Sequence, residues 1–163
     1  MIKLGSTSYK QTKFGILPRE KVLEMEVLGT RKGLLFLNKT IKINNKLTPS
    51  FIKEIHKMCF SDILMEEAGK FRTVQVTYSG NEAPHFSKIP EFIKTLCDDT
   101  EFVLSQLPKP DDEGFIERAV ELLVHFQHRF VFIHPFVDYN GRTSRMFTSY
   151  LLMRIHLPII EIQ

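Results

Sequence analysis

The hydrophobic positions of this chain change period twice, from helical to alternating and back. From Arg19, apolar residues recur at Val22, Met25 and Val27/Leu28, which is helical spacing, and Leu34, Leu35 and Leu37 continue that helix or begin another. Gly29 and Gly33 argue against one unbroken helix, because glycine gives up extra backbone entropy there. Asn44-Asn45 marks the end of this region. Thr48-Pro49 then offers a cap and a first-turn proline. Phe51, Ile52, Ile55, Met58 and Cys59 follow on one face, so a helix is predicted over 49–60. Over 71–78, Val74, Val76 and Tyr78 alternate with Thr73, Gln75 and Thr77, the period of a strand. Ser79-Gly80-Asn81 reads as a turn and His85-Phe86 as the return arm of a hairpin. Pro90 opens a helix to about 106, and Pro108 and Pro110 separate it from the next. That next segment, 115–133, is apolar nearly all round, as a core helix is. Pro135 disfavours helical backbone at the residue before it, so His134 sits where the chain leaves the helix. Helical spacing resumes over 142–155 with Met146, Phe147, Tyr150, Leu151 and Ile155. The predicted fold class is mainly α, a helical bundle with one β-hairpin. Residues 1–18, with breakers at Gly5, Gly15 and Pro18, read as an irregular leader to a single domain over 19–163.

Composition changes this picture little. The content is 43% hydrophobic and 25% charged, ordinary for a globular domain. No apolar run approaches the ~20 residues of a membrane-spanning helix, and the N-terminus lacks the apolar stretch of a secretory signal. A cytoplasmic protein without a membrane partner is expected. A net charge of +3, spread along the chain, gives little support to nucleic-acid binding. Cys59 and Cys97 show no metal spacing and read as reduced thiols. His125 and His128 share a helix with His134 at its end, but no cysteine or carboxylate completes a zinc set.

Chemistry concentrates in the stretch from His134 to Arg145. Arg142 and Arg145 are three apart at the start of a helix and share a face. A helix start also presents unpaired N–H groups and the positive end of the dipole, and Asn140-Gly141 is the turn that aims them. Together these form a polyphosphate cradle. Asp138 adds a hard oxygen suited to Mg²⁺ bridging phosphates. His134, at the far end of the loop, can take a proton from an attacking hydroxyl. Pro135 and Phe136 are rigid and apolar, fit to anchor the loop to the core.

The run His134-Pro135-Phe136-Val137-Asp138-Tyr139-Asn140-Gly141-Arg142-Thr143-Ser144-Arg145 resembles the Fic motif H-P-F-x-D/E-G-N-G-R-x-x-R. Residues 67–76 are similar to the family segment leading into its flap hairpin, and residues 47–56 to the helix before it. The resemblance spans about 20–160. It implies a Fic-like helical bundle with a hairpin flap over the active site, and a protein adenylyltransferase that moves AMP from ATP to a Ser, Thr or Tyr hydroxyl of another protein. It further implies His134 as base, Asp138 as Mg²⁺ ligand, Asn140, Gly141 and Arg142 as phosphate cradle, and Arg145 on the terminal phosphate. A flap over 71–86, with Thr73, Gln75, Val76 and Thr77, would hold the protein substrate by strand-like pairing. Some relatives remove AMP or use other donors. Asp138 and the full arginine pair favour nucleotide transfer over the phosphotransfer branch, whose motif has lysine after the asparagine. The other class is a catalytically silent Fic-fold binding module or toxin component.

Three departures accompany the match. Tyr139 stands where the family has a small residue, and would be costly there if the backbone required φ > 0. No inhibitory S/T-x-x-x-E-G/N pattern occurs, so no internal acidic side chain, Glu24 or Glu26 for example, is expected on Arg145. Restraint would come from a separate inhibitory partner or from segments outside these residues. The chain ends soon after the motif helix, where relatives continue with helices that complete the adenine pocket.

Overall fold

The computed structural model describes residues 9–41 and 46–159. Strands β1 (Tyr9–Thr12) and β2 (Gly15–Pro18) form an antiparallel hairpin, so residues 9–18 are ordered rather than the irregular leader expected from their glycines and proline. Two short strands were missed because they carry too few apolar residues to show a period. Residues 1–8 of that leader and the Asn44-Asn45 helix end lie outside the described residues.

Five helices follow: α1 (Arg19–Ile41), α2 (Pro49–Leu64), α3 (Ile89–Ser105), α4 (Phe115–Ile133) and α5 (Asn140–Arg154). The mainly helical bundle with a small flap hairpin is the predicted fold class. Helix α1 runs unbroken through Gly29 and Gly33, and both glycines serve packing. A Cβ at Gly29 would lie 2.0 Å from the Cys59 carbonyl oxygen, and one at Gly33 would lie 2.3 Å from Cys59 Sγ. The glycines let α1 press against the backbone of α2, an approach worth more than the helix propensity they forfeit. Thr48 caps α2 through its hydroxyl, which accepts from Phe51 N–H at 3.1 Å, with Pro49 in the first turn.

Helix α4 is buried in the main core through Phe126, Phe130 and Ile133, with Phe126 against Phe147 and Phe130 against Phe136. Its opposite stripe, with Ile116, Val120 and Val124, is exposed, so it is a core helix on one side only. Helix α5 is buried along much of its length, and its polar residues turn inward by bonding backbone. Thr143 and Ser144 hydroxyls donate to the Tyr139 and Gly141 carbonyls at 2.9 and 3.0 Å, and Thr148 donates to Ser144. Glu101 on α3 takes both ends of the Arg154 guanidinium, tying the end of α5 across the bundle.

The alternation over 71–78 translates into less strand than its period predicts. Only β3 (Thr77–Tyr78) and β4 (Asn81–Glu82) pair, Tyr78 opposite Asn81, and the return arm lies at 81–82. His85 instead caps a short 3₁₀ turn over Phe86–Lys88. The preceding residues are extended but are held by a side chain, Arg72, rather than by a ladder.

Candidate active site between the ends of helices α4 and α5

Helix α4 stops at His134, whose backbone is left-handed (φ 50°, ψ 59°) while its N–H still donates to Phe130 at 3.0 Å. Pro135 bars a further helical turn. A non-glycine residue in this conformation costs about 1 kcal/mol or more and persists only where its surroundings hold it. Three contacts do so. The imidazole Nδ1 lies 3.1 Å from the Val131 carbonyl, and this contact requires Nδ1 to carry the proton. The ring stacks on Tyr78 from the flap at 4.5 Å between centroids, 6° from parallel. The His134 carbonyl accepts from Arg72 Nε at 2.8 Å. With Nδ1–H spent on Val131, the lone pair is on Nε2. Burial, with the Arg72 charge adding to it, lowers the His134 pKa below 6.5 despite the raising influence of Val131 and Asp138. The side chain is therefore a neutral base at pH 7.

Arg72 is the clamp behind this loop. It is 2% exposed, and among the described residues no carboxylate bonds it. Its guanidinium donates instead to the carbonyls of His134, Val74, Pro84 and Ile133, at 2.8, 2.8, 2.6 and 3.4 Å. Two of these belong to the C-terminal end of α4, where the helix dipole favours a cation. The other two belong to the flap. The Arg72 N–H adds a bond to Pro135 at 2.9 Å, so one residue fixes both flap and motif loop.

The loop is also held from below. Phe136 is fully buried and stacks on His56 at 3.7 Å between centroids. His56 accepts from Gly69 N–H at Nδ1 (2.9 Å), which places its own proton on Nε2, 3.2 Å from the Asp138 carbonyl. Asn140 closes the loop: its Oδ1 accepts from Phe136 N–H at 2.9 Å and its Nδ2 donates to the Phe136 carbonyl at 2.8 Å. That bidentate clasp uses the Asn140 amide and leaves the start of α5 pointing outward.

Tyr139, the residue before α5, has φ 60° and offers no side-chain cap to the helix. The strain is offset by packing. Its ring stacks on Phe60 at 4.3 Å, and its hydroxyl donates to Glu26 Oε1 at 2.9 Å. Burial first, and Glu26 next, raise its pKa further above the usual tyrosine range. Glu26 is fully buried on α1 and also takes Arg19 Nη1 on Oε1 at 2.7 Å. Arg142 Nη2 approaches its Oε2 to 2.6 Å, a charge contact whose angles do not make a hydrogen bond. Asp138 is half-exposed; its Oδ1 accepts from Tyr139 N–H at 2.7 Å and its Oδ2 from Lys10 Nζ at 2.7 Å.

His134, Asp138, Asn140, Gly141, Arg142 and Arg145 thus line one polar cleft of about 320 Å³, shared with Lys10, Arg19, Glu26 and Tyr139. A larger groove of about 730 Å³ lies between α3 and α4, but its lining is mostly apolar and it brings no arginine pair to a helix start. Of the expected flap residues, Thr73, Gln75 and Thr77 are exposed and Val76 is half-buried, and none of them lines the polar cleft. Tyr78 is the flap residue that reaches His134. Glu24 pairs with Lys21 on the surface. Glu26 does enter the cleft, on Arg142 rather than on Arg145.

Sequence reasoning missed Lys10, Arg19, Glu26, His56 and Arg72. His56 and Glu26 carried a signal, since each polar residue falls on the buried face of its helix, beside Ile52, Ile55 and Cys59 or beside Val22. Arg72 lies in the 67–76 segment already set apart, but nothing local shows that it is buried. Among the described residues no cluster of three or more His, Cys, Asp or Glu could hold a metal ion, so the His125/His128 reading gains nothing. Asp138 fits a divalent cation in one way only. Mg²⁺ is commonly held by one or two carboxylates together with substrate phosphates, and Asp138 faces the cleft as a lone carboxylate beside an anion cradle.

Comparison with known proteins identifies the family and the fold. A protein adenylyltransferase Fic of Nematostella vectensis is 32% identical over 155 residues, covering 94% of this chain and 34% of that protein. The corresponding fic-1 of Caenorhabditis briggsae is 31% identical over 161 residues, covering 96% of this chain and 30% of the other. The chain therefore spans about a third of the length of the curated relatives it matches. A Fic domain containing signaling protein from Bacteroides thetaiotaomicron superposes with a TM-score of 0.70 at 25% identity, over 85% of this chain and 51% of that one. Fic-1 from C. elegans shares the fold, with a TM-score of 0.66 at 24% identity over 98% of this chain and 41% of its own. The family model described as Fic/DOC matches residues 46–152, which contain α2, the flap, the motif loop and most of α5, and the chain belongs to that family.

Proposed function

We propose that this chain is the catalytic domain of a protein adenylyltransferase, moving AMP from Mg-ATP to a Ser, Thr or Tyr hydroxyl of a protein held at the flap. One observation carries the reading. A neutral imidazole with a free Nε2 faces the same cleft as two arginines at an uncapped helix start. The polyphosphate lies along Arg142, Arg145 and the first N–H groups of α5, where charge and dipole both favour an anion. The target hydroxyl attacks the α-phosphorus while its proton passes to His134 Nε2. The new O–P bond forms as the bond to the β-phosphate oxygen breaks, and pyrophosphate leaves with its charge spread over the arginines. A magnesium ion carried on the phosphates would supply further charge neutralisation, with Asp138 the residue to hold it. Asn140, Phe136, His56 and Arg72 do no chemistry; they keep the base and the cradle at fixed separation.

Intact mass after incubation with Mg-ATP and candidate targets tests the reading. Transfer adds one adenylyl group, and His134→Ala lowers the rate ~10²–10⁴-fold while leaving nucleotide binding in place. Asp138→Ala and Arg145→Ala weaken nucleotide binding or its productive placement. Undiminished transfer by His134→Ala removes the base assignment. Nucleotide binding without transfer to any target favours the silent binding module.

A further inference from the structure

Lys10, like Arg19 and Glu26, lines the cleft without belonging to the motif or the proposed chemistry, and it alone of the three bonds Asp138. Its strand is anchored rather than loose. Lys10 pairs with Leu17 in the β1–β2 register, Thr12 is 1% exposed, and its hydroxyl donates to the Gly15 carbonyl at 2.9 Å. Lys13 N–H then donates to the Asp62 carbonyl at 3.0 Å, pinning the hairpin to the end of α2. From that platform the Lys10 ammonium reaches across 128 positions of sequence to Asp138 Oδ2 at 2.7 Å. It also donates to the Tyr139 hydroxyl at 3.1 Å and lies 4.6 Å from the centre of that ring. The Tyr139 hydroxyl in turn donates a hydrogen bond to Glu26 Oε1, so a hydrogen-bonded chain runs from lysine through tyrosine to the glutamate acceptor along the cleft.

This geometry bears on the metal. Asp138 has two carboxylate oxygens: Oδ1 faces its own loop's backbone N–H and Oδ2 faces the cleft. A divalent cation brought in by phosphates would bind Oδ2, the oxygen Lys10 holds. Without a cation beside it, Asp138 would repel a polyphosphate seated on Arg142 and Arg145. With Lys10 there, that repulsion is already offset.

We propose that Lys10 is a built-in counter-cation of Asp138, doing part of the charge neutralisation otherwise left to a divalent metal, so that the cleft takes a polyphosphate with reduced dependence on metal. The proposal rests on the nucleotide reading above and concerns the charge requirement of that same site. Lys10 and the metal are then alternatives at one oxygen, and their effects on anion affinity are coupled through Asp138.

The test is the affinity for an ATP analogue with a non-hydrolysable α,β bridge, measured by calorimetry in excess EDTA and in excess Mg²⁺. The quantity of interest is the ratio of the two dissociation constants. Lys10→Met should widen that ratio by about fivefold, the scale of a half-exposed ion pair, and Lys10→Arg should restore it. In an Asp138→Asn background Lys10→Met should leave the ratio unchanged. Lys13→Met removes the same charge from the same hairpin away from Asp138 and should behave like the parent. Equal weakening by Lys10→Met in both buffers makes Lys10 a plain phosphate contact and overturns the proposal, as does no change at all. Either result leaves the nucleotide reading standing. Failure of the parent to bind the analogue in both buffers overturns the nucleotide reading, and this proposal with it.

Discussion

Acidification should loosen the motif loop through His56. His56 is fully buried between Phe60 and Phe136, with Nδ1 accepting from Gly69 and Nε2–H directed at the Asp138 carbonyl. Protonation places a second hydrogen on Nδ1, where the Gly69 N–H already points. Burial therefore pushes the pKa down from 6.5 to about 4, against the smaller raising effect of Asp138. The folded pKa lies below the unfolded one, so the unfolded chain binds more protons between them. Stability from the neutral ring is fully present above about 6.5, declines as pH falls, and is lost by about 4. A separation of roughly 2.5 units corresponds to about 3 kcal/mol at 1.36 kcal/mol per unit, a large part of a small domain's stability. Urea unfolding at pH 7.0 and 4.5 measures the loss. Other groups titrate in that range, so the comparison is with His56→Leu. That variant gives up two hydrogen bonds and should be less stable at pH 7 by about 1–3 kcal/mol, but with a flatter dependence on pH. An identical slope in parent and variant would refute the reasoning.

Two further outcomes follow from the geometry. On the proposed mechanism His134 serves as base only when neutral, and its pKa is lowered from 6.5, so the transfer rate should be level from pH 7 to 8 and fall with a midpoint below 6.5; a midpoint above 7 would contradict the burial argument. Gly29→Ala puts a methyl 2.0 Å from the Cys59 carbonyl, so α1 and α2 must part, at a cost of about 2–3 kcal/mol in urea unfolding; a neutral or stabilising substitution would show that the helix contact yields freely.

The sequence made the long elements and the motif legible because each is a local pattern. Helix α4 begins and ends where its apolar run does, and α5 starts at the Asn-Gly turn. Local patterns fail where the physics is long-range. Gly29 and Gly33 look like helix breakers until Cys59 is brought against them. The alternation at 71–78 looks like a strand, but Arg72 satisfies the backbone around it with a guanidinium and leaves only two residues for the ladder. Lys10 and Asp138 are partners that no window could join. Tyr139 is the instructive case. A departure from the family pattern at a left-handed position reads as a fault, yet its ring and hydroxyl find Phe60, Glu26 and Lys10, all from elements far away in sequence.

The balance of charge in the cleft gives these distant residues a common logic. Four cations, Lys10, Arg19, Arg142 and Arg145, face two carboxylates, Glu26 and Asp138, beside the positive end of α5. Without the carboxylates the cations would repel one another and splay into solvent. Glu26 is placed to prevent this, holding Arg19 on one oxygen and drawing Arg142 to the other. Removing it would leave a buried gap and two unpaired guanidinium groups, a costly outcome for a desolvated site. Lys10 does the same for Asp138. Among the described residues Arg145 alone of the four has no ion-pair partner, and it is exposed. An incoming anion therefore meets one free arginine first, then a guanidinium already oriented by Glu26. The cleft keeps a net positive charge, as the proposed polyphosphate would require, while its buried carboxylate Glu26 has counter-charges, so the site can be preorganised without being neutral.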